Sequence, residues 1–85
     1  MFTGIIEQMG HIRHIERERT NIHFTIASPI SKELKVDQSI AHDGVCLTVV
    51  RQDQDTHTVT AIEETIKRTA LGEWKVGRAV NLERA

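Results

Sequence analysis

The stretch Ser39–Val50, SIAHDGVCLTVV, joins a tight-turn signal to a strand whose two faces differ in chemistry. The dipeptide Asp43-Gly44 is typical of a two-residue hairpin turn. Beyond it, Leu47 and Val49 point to one face, because side chains alternate along a strand. The other face carries Cys46, Thr48 and Val50. A face of small, uncharged polar groups favours contact with a polar heterocycle or with the backbone of another chain.

Length, charge and composition limit the class of protein. The 85 residues suffice for one domain with a modest core. The net charge is −1, and acidic and basic residues are interspersed along the chain, so the sequence has no basic patch of the kind that binds nucleic acid. We therefore expect no nucleic-acid partner. No apolar run approaches the roughly 18 residues of a membrane span, so we expect no membrane partner.

The expected compartment is the cytoplasm. The N-terminal residues, beginning Met1-Phe2-Thr3-Gly4, lack the basic segment and apolar core of a signal peptide. The single cysteine, Cys46, excludes an internal disulfide and fits a reducing environment.

Strand signals dominate the rest of the chain. Asn21–Ala27 alternates most regularly, whereas Ile12 and Ile15 fall on opposite faces and predict a bulge or a face switch. The polar segment Arg17–Asn21 is the expected hairpin connection. The predicted strands are Gly10–Glu16, Asn21–Ala27, Ser39–Ala41, Cys46–Arg51, His57–Ile62 and Ala79–Glu83. Short strands at this spacing favour a closed antiparallel barrel over a sandwich, because closure removes exposed edges.

Two short helices interrupt the strands. Ser28-Pro29 predicts a helix over Ile30–Leu34, with serine at the N-cap and proline in the first turn. Helix-forming residues over Glu63–Ala70 predict a second helix, with Gly72 as its C-terminal cap.

Two similar short segments of the sequence suggest internal symmetry. The segments Leu34–Val36 and Trp74–Val76 each end in Lys-Val and precede a predicted strand. This similarity is too short to count as a sequence repeat. It indicates a pseudo-symmetric barrel in which each short helix covers or flanks one end.

The five histidines do not indicate a metal site. His11 and His14 are three apart, which places them on opposite faces of a regular strand and argues against a shared ion. His42 beside the turn predicts a turn-stabilising hydrogen bond, with proton transfer as the alternative. His23 and His57 are predicted to be exposed strand positions.

Four blocks in fixed order carry a family resemblance. They are Met1–Ile6, Ala41–Val49, Glu64–Gly72 and Val76–Arg84. Together they closely resemble the N-terminal half of the riboflavin synthase family, the alpha-chain type built from lumazine-binding repeats. The resemblance implies an all-β fold: a six-stranded antiparallel Greek-key barrel with one or two short helices. It implies that residues 1–85 form one such barrel, the first of two repeats, and that the second barrel lies outside this chain.

The resemblance also implies a reaction in riboflavin biosynthesis. Enzymes of this family are transferases that convert two molecules of 6,7-dimethyl-8-ribityllumazine into riboflavin and 5-amino-6-ribitylaminouracil. No cofactor or metal is implied, and the expected bound ligand is riboflavin or the lumazine itself. The family site lies between the first barrel of one subunit and the second barrel of a neighbour. The full-length protein is expected to be a homotrimer.

The family motifs place the substrate-binding residues on three walls. These are Gly4, Ile5 and Ile6; Cys46, Leu47 and Thr48; and Thr60, Ala61, Ile62, Glu63, Glu64 and Thr65. The expected catalytic residues are Ser39, which would assist proton transfer or hold the ribityl chain, and Cys46. A base is required because the substrate loses a methyl proton, and the candidates are Ser39, Cys46, His42 and the ribityl hydroxyls of the substrate.

Several alternatives remain open at this point. Cys46 alone is compatible with a small buried hydrophobe, and Thr48 and Thr60 with simple strand propensity. The chain is expected to bind ligand with little or no turnover, because the second barrel is missing. The main alternative is a non-catalytic module like the lumazine proteins, and the weaker one a barrel that has lost binding. Pairing of two barrels through Phe2 and the first strand would give a homodimer.

Overall fold

The computed structural model describes residues 7–84, which form a closed antiparallel barrel. The strands are β1 (Gln8–Glu18), β2 (Asn21–Ala27), β3 (Ser39–His42), β4 (Val45–Gln52), β5 (Thr56–Ala61) and β6 (Ala79–Arg84). Their order around the barrel is β1-β2-β5-β4-β3-β6, and β6 also pairs with β1. The predicted six-stranded barrel is therefore confirmed. One helix, α1 (Glu63–Arg68), and two 3-10 turns, Ser31–Glu33 and Leu71–Glu73, complete the described part.

Local turn chemistry sets the hairpins where the sequence predicts them. Asp43 and Gly44 have φ angles of 51° and 85°, the positive values that a tight hairpin turn requires. The β1–β2 turn uses only Arg19 and Thr20, because β1 continues to Glu18. Its predicted connection, residues 17–21, is therefore longer than the observed one.

The predicted bulge in β1 is present, and it moves a histidine. The register shifts between Ile12 and His14, so His11 lies opposite Ala27 and His14 opposite Thr25. Ala27 and Thr25 share one face of β2 because they are two residues apart. His11 and His14 therefore both lie on the outer face, and the prediction of opposite faces is wrong.

The two halves of the barrel repeat the same backbone arrangement, as the two similar segments ending in Lys-Val indicated. After the first 3-10 turn, the amide of Asp37 donates to the carbonyl of Val49 in the bulged strand of the other half, at 2.7 Å. After the second 3-10 turn, the amide of Gly77 donates in the same way to the carbonyl of Ile12 in β1, at 2.7 Å. Both donors have positive φ, 76° and 96°, and both acceptors precede a register shift in their strand. Each unit is a bulged hairpin followed by a 3-10 turn and a strand.

Apolar side chains fill the barrel. Phe24 is fully buried and meets Trp74 edge-on at 5.4 Å between ring centroids. Such a pair adds about 0.5–1.5 kcal/mol to the area buried. Ile30 and Leu34 flank the first 3-10 turn and join the same core, which Leu71 joins from the second. The interior is therefore packed with side chains.

The helix predicted to reach Ala70 ends two residues earlier. Thr69 is extended, with φ −135° and ψ 177°, and closes α1 after Arg68. Its hydroxyl donates to the carbonyl of Thr65 at 2.8 Å and accepts from the amide of Leu71 at 3.2 Å. These side-chain bonds compete with continuation of the helix. Gly72 lies inside the second 3-10 turn, so its predicted capping role is wrong.

The segment after Ser28-Pro29 forms a single 3-10 turn, shorter than the predicted helix over residues 30–34. Ser28 does not cap it by a side-chain hydrogen bond to a backbone amide, because its hydroxyl instead contacts the Ser31 hydroxyl at 2.9 Å. Both serines are buried. The serine predicted to cap a helix thus belongs to a buried polar chain.

That chain continues through two buried histidines. Ser31 Oγ lies 2.8 Å from His57 Nδ1, and the Nε2 atoms of His57 and His42 are 3.0 Å apart. His42 Nδ1 lies 3.0 Å from the carbonyl of Ile40. Because a carbonyl only accepts, His42 Nδ1 donates, His57 Nε2 donates to His42, and Ser31 donates to His57. Donation thus runs from Ser31 through His57 and His42 to the carbonyl of Ile40, and both imidazole rings can form these hydrogen bonds in the neutral state.

Two histidine predictions are consequently wrong. His57 was expected to be exposed, but its register opposite Ile26 turns it into the barrel, where it is 1 % exposed. His42 was expected to stabilise the turn, but it is fully buried and contacts His57 instead. The turn is tied by Asp43, whose carboxylate accepts from the amide of Asn81 at 2.7 Å.

The buried pair makes the barrel sensitive to acid. Burial lowers the pKa of His42 to about 4 and, together with the neighbouring His42, lowers that of His57 to about 3. In the unfolded chain both rings return to about 6.5. The unfolded state therefore binds more protons in this window, so stability is complete above about pH 6.5 and falls as the pH drops toward 4.

We predict a loss of about 2 kcal/mol per buried histidine between pH 7 and about pH 5. Denaturant unfolding at both pH values measures it. His57→Gln should reduce the loss by about half, because it removes one titrating group, while the exposed control His14→Gln should leave it unchanged. Equal stability of the wild-type chain at both pH values would contradict this account.

Candidate functional site

Four side chains form a continuous row across the outer face of the barrel. Strand register places Ser39 of β3 opposite Thr48 of β4, Thr48 opposite Thr60 of β5, and Thr60 opposite His23 of β2. We call these four residues the outer-face row. None of them is buried in the core. Residues that are 37 positions apart in the chain thus become neighbours.

The predicted division of β4 into two faces is confirmed. Leu47 and Val49 are buried in the barrel, whereas Cys46 and Thr48 are exposed on the outside. The alternative interpretation of Cys46 as a buried hydrophobe is therefore wrong. Ala61 is also fully buried. Leu47 and Ala61 consequently present only backbone atoms toward the outer face.

The third predicted wall lies where β5 ends and α1 begins, as expected. Ile62 occupies the N-cap position, makes no side-chain capping bond and is 54 % exposed. Glu63 and Glu64 pair along the helix with Lys67 at 3.1 Å and Arg68 at 3.0 Å. Exposed pairs of this kind contribute little to stability. The carboxylates therefore have local partners on the helix, and the apolar Ile62 stands beside the row.

The structure thus brings one group of predicted residues together on one face. This group comprises Ser39, Cys46, Thr48, Thr60 and Ile62. Thr65 is half-buried one turn into α1, where its carbonyl accepts from Thr69. The predicted wall Gly4, Ile5 and Ile6 lies outside the described residues 7–84. So does Phe2, the residue through which association was expected.

His23 also belongs to the outer-face row, although the sequence predicted it only as an exposed strand position. Its Nδ1 lies 2.7 Å from Thr60 Oγ1 and its Nε2 lies 2.7 Å from Glu18 Oε1. Its side chain is only 25 % exposed. Alternation along β2 does indicate that His23 points outward, but its contact with Thr60 depends on a strand pairing that the sequence does not specify.

Within residues 7–84, no group of three or more His, Cys, Asp or Glu side chains has the proximity needed to hold a metal ion. In the same range, no helix has both the length and the apolar character needed to cross a membrane. The outer-face row itself consists of three hydroxyl side chains and the imidazole of His23, with the thiol of Cys46 beside Thr48 on the same face.

Comparison with known proteins identifies sequence relatives along the whole chain. The model of the lumazine binding domain family matches residues 3–85. A riboflavin synthase of Actinobacillus pleuropneumoniae is 43% identical over 86 residues, covering 100% of this chain and 40% of that protein. A riboflavin synthase of Bacillus subtilis (strain 168) is 41% identical over 86 residues with the same coverage. The match lies in the N-terminal half of these relatives.

Solved structures agree with the sequence comparison. LumP in complex with 6,7-dimethyl-8-(1'-D-ribityl) lumazine superposes with a TM-score of 0.92 at 31% identity, covering 100% of this chain and 49% of that one. LumP in complex with riboflavin gives 0.91 at 31% identity, covering 99% and 46%.

The coverage of the relatives is partial, whereas the coverage of this chain is complete. The chain spans about 40% of the length of the curated relatives that it matches. The family match over residues 3–85 includes all six strands of the barrel and the whole outer-face row. The chain therefore belongs to the lumazine binding domain family.

Proposed function

We propose that this chain is the first, ligand-binding barrel of a riboflavin synthase and acts in riboflavin biosynthesis. In that role it would help convert two molecules of 6,7-dimethyl-8-ribityllumazine into riboflavin and 5-amino-6-ribitylaminouracil. The observation that carries the proposal is the match along the whole chain to riboflavin synthases at up to 43% identity. The clustering of Ser39, Cys46, Thr48 and Thr60 on one face supports it.

The outer face suits a flat heterocycle with polar edges. Thr48 and Thr60 offer neighbouring hydroxyls, and Cys46 leaves room because its side chain is small. The exposed Ile62 provides an apolar contact for a ring. We propose that Leu47 and Ala61 contribute backbone groups, since their side chains are buried. The remaining proposed contacts are Gly4, Ile5, Ile6, Glu63, Glu64 and Thr65.

The reaction places a second requirement on the site. Two identical substrates must be held in opposed orientation, and such positioning can supply roughly 7–11 kcal/mol of the barrier in favourable cases. Ser39, at the edge of the row, is the proposed residue for proton transfer or for holding the ribityl chain, with Cys46 beside it. No metal or cofactor is part of the proposal. One barrel holds one substrate, so we infer that this chain alone binds ligand with little or no turnover.

We propose assemblies and a location consistent with this role. The isolated barrel is expected to pair as a homodimer, and the full-length enzyme to form a homotrimer. The proposed location is the cytoplasm, and neither nucleic acid nor a membrane is a proposed partner.

The second candidate function is a non-catalytic lumazine- or flavin-binding module. It is favoured by one observation: the LumP structures that superpose with TM-scores of 0.91 and 0.92 hold riboflavin or a lumazine. Both candidates require the same outer face. They differ in whether the barrel performs chemistry when it is joined to a second barrel.

We predict that riboflavin binds the chain with quenching of riboflavin fluorescence. Thr48→Val should weaken binding about threefold to tenfold, because one hydrogen bond contributes roughly 0.5–1.5 kcal/mol. Thr20→Val, at the exposed hairpin tip, is the matched control and should bind like wild type. Absence of quenching with the wild-type chain would contradict the proposed binding function.

Turnover distinguishes the two candidates. We predict negligible conversion of 6,7-dimethyl-8-ribityllumazine by the isolated chain, followed by riboflavin absorbance, and strong conversion once a second family barrel is fused after Ala85. Sedimentation of the isolated chain with riboflavin should report a dimer. Conversion by the single barrel at the two-barrel rate would overturn the claim that one barrel is insufficient. A fusion that binds but never converts would favour the non-catalytic module.

A further inference from the structure

We propose that His23, oriented by Glu18, sets whether the Thr60 hydroxyl accepts or donates a hydrogen bond toward the ligand. Riboflavin binding would then depend on the protonation state of His23. This inference rests on the proposed function, because it concerns the same outer face. It assigns a positioning role to a residue that acts on the ligand only through Thr60.

The geometry defines the neutral state. A carboxylate only accepts, so the 2.7 Å contact with Glu18 Oε1 requires the proton of a neutral His23 ring to be on Nε2. Its Nδ1 then carries a lone pair and accepts from the Thr60 hydroxyl, 2.7 Å away. The hydroxyl proton of Thr60 is therefore committed to His23, and only oxygen lone pairs remain for a ligand. A ligand group that reaches Thr60 in this state must be a donor, such as an imide N–H or a ribityl hydroxyl.

Protonation of the ring reverses the bond without moving either residue. Both ring nitrogens then carry hydrogen, so Nδ1 donates to Thr60 Oγ1. The hydroxyl proton of Thr60 is released, and one of the two oxygen lone pairs now accepts from the positive His23 ring. Thr60 Oγ1 is left with a single lone pair beside a positive charge and becomes a poorer acceptor for the ligand's donor group, so binding weakens as His23 gains its proton.

Thr60 is suitably placed to pass this change on. It lies between His23 and Thr48 in the outer-face row. Its side chain and that of His23 are both half-buried. If Glu18 were replaced by a neutral side chain, neither tautomer of the imidazole would be favoured. Glu18 is therefore needed to hold the proton of the neutral ring on Nε2.

The charged neighbours of His23 supply the controls. Glu16 lies opposite His23 in the β1–β2 register, in addition to the bonded Glu18. His14 of β1 and Arg51 of β4 face the same outer groove of about 400 Å³. His14 therefore lies on the same face as His23, but it is opposite Thr25 and outside the row.

The test is riboflavin affinity as a function of pH, measured by fluorescence quenching between about pH 8 and about pH 5.5, where histidine changes charge. Wild type should lose affinity about fivefold across this range, the effect of one lost hydrogen bond. His23→Gln and Thr60→Val should each flatten the dependence, and the double variant should add nothing further. His14→Gln should retain the wild-type slope. Circular dichroism at each pH confirms that the barrel is folded.

Each outcome decides a different question. A wild-type slope that persists in His23→Gln overturns the role of His23 while leaving the proposed function intact. Loss of the slope in His14→Gln assigns it to the general charge of the groove and also overturns that role. A slope of opposite sign overturns the proposed direction, because the ligand then accepts from Thr60 only after His23 is protonated. Failure of wild type to bind at any pH removes the proposed function itself.

Discussion

Closure of the barrel between β6 and β1 is the constraint on which the rest of the structure depends. β6 pairs with β3 on one side and with β1 on the other, so each of the six strands has two neighbours. Closure removes free edges and gives every strand one inner and one outer face. Phe24 and its neighbours fill the inside. A ligand of flavin size must therefore bind outside, where the outer-face row lies.

Much of this fold follows from local sequence. Alternation predicts Asn21–Ala27 to the residue, and the positive φ angles of Asp43 and Gly44 agree with the turn predicted there. The errors have non-local causes. The bulge in β1 and the pairing of His57 with Ile26 decide which histidines face outward. Burial of His57 requires the buried Ser31 as a hydrogen-bond partner, and no local sequence pattern predicts a contact between residues so far apart in the chain.

The candidate site divides in the same way. The family resemblance supplies its residues, and alternation along β4 separates Cys46 and Thr48 from the buried Leu47. The sequence does not reveal the alignment of Ser39, Thr48 and Thr60 across three strands, because cross-strand register is a property of the closed sheet. The link from Thr60 to His23 depends on that register as well.

We predict that a lumazine or flavin ligand binds on the outer face of β3, β4 and β5 and leaves the packed interior unchanged. Titration of the isotope-labelled chain with riboflavin, followed by backbone amide chemical shifts, tests this most directly. The largest shifts should map to Ser39, Cys46, Thr48 and Thr60, with small shifts at the amides of Phe24 and Ile26. Shifts confined to the opposite side of the barrel, around Met9 and Ser28, would contradict it.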